Sequence, residues 1–113
     1  MTGRMTSSDS DGPTGPVPTI LEAIVRRRCI SVTYNRQHVV IAPHILYTRH
    51  GELHVDAVAV ERDGKPPREL KIGTYRLSGL GDIAPTDRDF FAVPDFDPGA
   101  ERYQGETLLA VER

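Results

Sequence analysis

The chain has no tryptophan, a single cysteine and only 6% aromatic residues. With so few large rings, a core has to be built from Val, Ile, Leu and Ala. Cys29 alone excludes an intramolecular disulfide and suits a reducing compartment, so a cytoplasmic protein is expected. No apolar run is long enough to cross a bilayer and no signal-peptide hydrophobic stretch opens the chain, so no membrane partner is expected. The net charge of -2 removes any global attraction to nucleic acid. Nucleophile-elbow, P-loop and dinucleotide fingerprints are missing. Asp82 and Asp87 read as isolated acids in turns rather than a catalytic pair. We expect no enzymatic activity and no cofactor.

What is present fits one small domain of 113 residues. A core of that size is marginal, so self-association would help to stabilise it. Charge is unevenly spread. Residues 19–90 carry 11 basic against 9 acidic side chains, whereas residues 91–113 carry 2 against 5. The centre is mildly basic and the C-terminal extension acidic.

Residues 1–18 are rich in Ser, Thr, Asp, Gly and Pro and cannot bury enough apolar surface to offset ordering, so they read as a disordered tail. Thr19-Ile20-Leu21-Glu22 has capping-box spacing and predicts a helix to about Arg28, with Ile20, Leu21, Ile24 and Val25 on its apolar face. Ile30, Val32 and Tyr34 alternate with polar residues, as in a half-buried strand. A turn at 35–37 leads to a second strand, which Pro43 should bend or bulge. His50-Gly51 and Asp63-Gly64 mark the next turns. Between them Leu53, Val55, Ala57 and Ala59 line one face and Val58 and Val60 the other, so that strand is expected to be buried on both sides. Residues 69–77 form another strand, with a bulge at Gly73, and a last short strand falls near 82–85. The apolar stretch Leu108 to Val111 could dock on the sheet or on a second copy. One helix and about five short strands predict a mainly β fold, a small barrel or a strongly coiled sheet.

Several of these segments resemble the WYL domain family of bacterial regulatory modules. Ile20-Leu21-Glu22-Ala23-Ile24 is similar to its opening helix, and Val32-Thr33-Tyr34, Pro43 and Gly51 to Ala57 follow its spacing. Arg68, Thr74-Tyr75-Arg76-Leu77, Thr86 and Phe90 continue the likeness, which covers residues 19–90. Leu53, His54 and Val55 stand where the family has Trp, Tyr and Leu, and Ser78 and Gly79 replace its Asp-Arg pair. The resemblance implies an Sm-like five-stranded barrel preceded by a helix. It also implies a sensor linked to transcriptional regulation that binds a small ligand or nucleic acid. Here a stand-alone module without a helix-turn-helix domain is expected.

Among candidate site residues, the basic set Arg49, Arg62, Lys65, Arg68, Lys71 and Arg76 comes from three adjacent segments. It reads either as a rim that meets phosphates or as a solvated surface interleaved with Glu52, Asp56, Glu61 and Glu69. A bulge at Gly73 would bring Lys71 and Arg76 to one face. Tyr34, Tyr47 and Tyr75 read either as stacking platforms for bases or as core tyrosines. His38, His44, His50 and His54 fit no common zinc spacing, and no metal is expected. Arg26 to Arg28 suit a helix C-terminus, and Cys29 beside them suits a buried thiol. The expected ligand-binding set is His44, Tyr47, Arg49, Arg68, Lys71 and Arg76. Its partner would be a nucleotide-like or other anionic molecule or single-stranded nucleic acid. The alternative is a homo-oligomerisation or protein-interaction module, using open sheet edges or the acidic tail.

Overall fold

In the computed structural model, which describes residues 15–103 and 106–112, helix α1 (Pro16–Arg26) precedes six strands. The predicted disordered tail lies outside the described residues up to position 14, and residues 16–18 are already helical. The capping box is not formed. Proline occupies the first turn, where its missing N–H costs nothing, and the N-cap is Gly15. Thr19 lies inside the helix and donates its hydroxyl to the Gly15 carbonyl at 2.9 Å. The helix stops at Arg26 rather than Arg28 because Arg27 turns left-handed, at φ 55°. The buried face is Ile20, Ala23 and Ile24, while Val25 is 69% exposed.

Strands β1 (Arg28–Tyr34), β2 (Gln37–Arg49), β3 (Glu52–Arg62), β4 (Ile72–Arg76), β5 (Gly81–Asp89) and β6 (Glu106–Ala110) form one antiparallel sheet. Its hydrogen-bonded order is β4-β3-β2-β1-β5, with β6 paired to β2. The sheet does not close: β4 and β5 are its two ends, so the fold is mainly β, but a closed barrel is not formed. The expectation of about five strands missed β6, and β4 is shorter than the predicted 69–77.

β2 changes neighbours halfway along. Its first part pairs with β1 from Ile41 to Gln37, and its second pairs with β6 from Ile45 to Thr48. Between them lies Pro43, which cannot donate to a ladder, followed by the extra residue of a bulge, His44. The other edge of β2 follows β3 throughout, apart from two register shifts. β2 is buried from Val39 to Tyr47, which only residues covered on both faces can be. β3 is likewise buried on both faces from Val55 to Val58.

The expected bulge at Gly73 is absent. β3 and β4 pair without a slip from Val58 opposite Ile72 to His54 opposite Arg76. Lys71 lies just before β4, out of parity with Arg76, so the two stay on different sides of the chain.

α1 packs on β1, β2 and β5. The acidic C-terminal stretch shares the same core, since Phe96, Tyr103 and Val111 are buried with the strands. A 3-10 turn at Glu101–Tyr103 places Tyr103. Each such side chain contributes roughly 1.5–3 kcal/mol relative to exposure.

The β1–β2 hairpin turns through Asn35 and Arg36, at φ 51° and 65°. Both central positions need positive φ, and Asn-Gly is the favoured pair there. Arg36 is exposed and supplies the second position at a steric cost. Replacing Arg36 with Gly is expected to stabilise the protein by about 0.5–1 kcal/mol, read as a higher urea midpoint at unchanged slope.

Candidate functional site

Among the described residues, the interior of the sheet carries one charged group. Asp56, in the middle of β3, is 0% exposed. It stands directly opposite Ile45 of β2 and Thr74 of β4. Because side chains alternate along a strand, Tyr47 and Thr74 share its face. The Tyr47 and Thr74 hydroxyls donate to Oδ1 of Asp56 at 2.7 and 2.8 Å. Tyr103 donates to Oδ2 at 2.6 Å, and Nη2 of Arg102 stands 3.3 Å from the same oxygen. Both carboxylate oxygens are therefore met, which a buried charge requires. The tyrosine rings of 47 and 103 meet edge to face, 5.0 Å between centroids.

This arrangement raises the phenol pKa values. Burial, then donation to the Asp56 carboxylate, pushes Tyr47 up to about 12 and moves Tyr103 further in the same direction. With Asp56 sealed from solvent and both its oxygens occupied, the cluster joins elements and offers no reactive group to a substrate.

Thr74 also lines an open groove. The groove, of about 420 Å³, is walled by Tyr34, Asn35, His54, Thr74, Arg76, Ser78 and Gly79. It is bounded by the end of β1, by β3 and β4, and by the turn after β4. Tyr34 comes from the end of β1 and stacks edge to face on Tyr75 of β4, 5.0 Å between centroids. A Cβ on Gly79 would touch the Tyr34 ring at 3.6 Å. On the floor, His54 and Arg76 lie opposite one another on β3 and β4. The His54 ring stacks on Tyr47 at 5.8 Å, and its Nδ1 donates to the Glu52 carbonyl at 3.0 Å. Arg76 pairs with Glu52 at 3.3 Å, both side chains more than half exposed.

The expected ligand set is thus divided. Arg76 lies in the groove. His44 and Tyr47 are 0% and 1% exposed, with their polar atoms bonded inside the protein. Arg49 is exposed at the end of β2, Arg68 in the irregular segment before β4, and Lys71 pairs with Glu69 at 2.9 Å. Arg49, Arg68 and Lys71 do not line the groove. Asp56 is a buried anchor, not part of a solvated charge pattern. Among the described residues, no three His, Cys, Asp or Glu side chains gather as a metal site. Cys29 is buried, and burial pushes its thiol up despite the opposing pull of Arg88.

The groove residues Asn35, His54 and Thr74 were not expected at a site. One signal was legible: Asp56 is the lone charge within an apolar strand expected to be buried on both faces. Such a residue needs partners, and β-pairing supplies Thr74 directly across. Tyr103 comes from a remote segment and left no local signal.

The sequence matches no family model, and comparison with curated proteins and with solved structures finds no match.

Alkaline pH tests the cluster. A phenol whose folded pKa is raised stabilises the fold fully below its ordinary value of 10.0, and loses that contribution as pH climbs toward the folded value of about 12. Phenolate absorbance should show Tyr47 and Tyr103 lagging and ionising together with unfolding. Four tyrosines titrating together near 10.0 would contradict the buried donors.

Proposed function

We propose that this protein is a non-enzymatic binding module that takes a small anionic ligand, nucleotide-like in size, in the groove beside β4. The observation that carries the reading is the convergence there of one guanidinium, one imidazole and neutral polar side chains from β1, β3, β4 and the turn after β4. A groove of about 420 Å³ falls in the range of small-molecule sites. Arg76 would exchange its exposed Glu52 partner for the ligand's anionic group, while Tyr34 offers a ring edge or face and Asn35 and Ser78 offer hydrogen bonds. The resemblance to WYL domains points the same way, toward a barrel-like sensor in transcriptional regulation. Ser78 and Gly79 in place of the Asp-Arg pair make this groove less charged than that family's pattern. A single guanidinium favours a small anion over a long single strand, which needs a basic track.

A second reading, self-association, is favoured by two features. The outer edge of β4 has no strand partner among the described residues, and Phe91 is 88% exposed. Light scattering on the full chain tests it, and a strict monomer at high concentration overturns it.

Titration with nucleotides and short single-stranded oligonucleotides tests the lead reading. Binding should weaken as salt rises. Replacing Arg76 with Ala should weaken it by about tenfold or more, the loss of a charge-assisted hydrogen bond of roughly 1.5 kcal/mol. The same change should shift stability by less than about 1 kcal/mol, because the Arg76–Glu52 pair is exposed. No binding by any of these probes at low salt would overturn the reading.

A further inference from the structure

His44 holds the C-terminal segment at both of its ends. Its Nε2 accepts from the Val93 N–H at 3.1 Å, and its carbonyl accepts from the Val111 N–H at 2.7 Å. On the other side of the ring, Nδ1 donates to the Ala42 carbonyl at 2.8 Å. The side chain is 0% exposed and sits against Phe90 and Phe96, with centroids 5.1 and 5.2 Å away. One ring nitrogen must donate and the other must accept, so the site demands a neutral imidazole. A proton on Nε2 would face the Val93 N–H with a second donor, in a place closed to water.

We propose that residues 91–103 and 106–111 form a strap that His44 releases on acidification. Release uncovers Tyr47, Asp56 and the edge of β2 from Ile45 to Thr48. The strap can leave without dismantling the sheet, because the path β4-β3-β2-β1-β5 is continuous without β6. Its buried polar attachments outside the β2–β6 ladder are His44 at both ends and Asp56 beneath Arg102 and Tyr103, while Phe96, Tyr103 and Val111 add apolar contact with the core. Local opening of a terminal segment on such anchors is the ordinary sub-global motion of a small domain. This proposal is independent of what the groove binds.

The charged and titratable groups that bear on His44 are Asp56 of β3 and, from the strap, Arg102 and Tyr103 on that same carboxylate. The groups packed directly on the ring, Phe90 and Phe96, are neutral. Burial lowers the imidazole pKa, and the Ala42 carbonyl and Asp56 oppose this without overcoming it. The sign follows. The neutral form is favoured only with the strap closed, so closure is fully supported above the ordinary histidine value of 6.5 and is lost as pH falls from there toward the depressed value.

Amide hydrogen exchange on the full chain, followed by NMR from about pH 8 to 5, tests this. Protection at Val93, Leu109 and Val111 should fall by up to about tenfold per pH unit below about 6.5. Protection at Val32 and Val39 should hold. The decline should begin near 6.5 and level off where the buried His44 ring itself titrates, and His44→Gln, which accepts without titrating, should flatten the profile. Constant strap protection overturns the proposal, as does joint loss of protection in strap and central strands. If the variant does not fold, the wild-type profile still decides: a fall in strap protection that continues unchanged below the pH at which the His44 ring has titrated overturns it.

Discussion

A carboxylate removed from water is destabilising by several kcal/mol unless its oxygens are met by donors. Asp56 meets that condition only through four residues from three places: Tyr47 of β2, Thr74 of β4, and Arg102 and Tyr103 of the C-terminal segment. The requirement runs in both directions. Tyr47 and Tyr103 are buried phenols that need an acceptor, and Asp56 provides it. The middle of the sheet is therefore fixed by a mutual demand among polar groups, with apolar packing around them. The bulge at His44 completes the arrangement, since it bends β2 where its neighbour changes from β1 to β6.

This anchor lies one hydroxyl away from the groove. Thr74 donates to Asp56 and also walls the groove, and the His54 ring rests on Tyr47. The groove is thus backed by the Asp56 cluster, in which both carboxylate oxygens are met.

Much of the fold was legible because strand alternation and turn residues are local. Asn35-Arg36, His50-Gly51 and Asp63-Gly64 each mark a hairpin, and Pro43 marks the bulge. The errors arose where tertiary contacts outweighed local pattern. Thr19 has the right spacing for a cap, but Pro16 begins the helix a turn earlier. Val25 continues an apolar run yet faces water. Gly73 has the freedom to bulge, but an unbroken register with β3 leaves no extra residue there. The site was harder to read. Of the expected residues only Arg76 lines the groove: His44 and Tyr47 are buried, and Arg49, Arg68 and Lys71 lie at the end of β2 and in the segment at 66–71. The apolar stretch Leu108 to Val111 does dock on the sheet, with Leu109 opposite Leu46 of β2 and Val111 bonded to the His44 carbonyl, a seat that sequence spacing alone does not locate.

The central claim is that Asp56 and its donors act as a unit. A double-mutant cycle of Asp56→Ala and Tyr103→Phe, measured by urea unfolding, tests it most directly. The account expects Asp56→Ala to cost about 3 kcal/mol or more and the two changes to be non-additive by roughly 1–3 kcal/mol. Additive effects, or an Asp56→Ala variant as stable as the wild type, would contradict it.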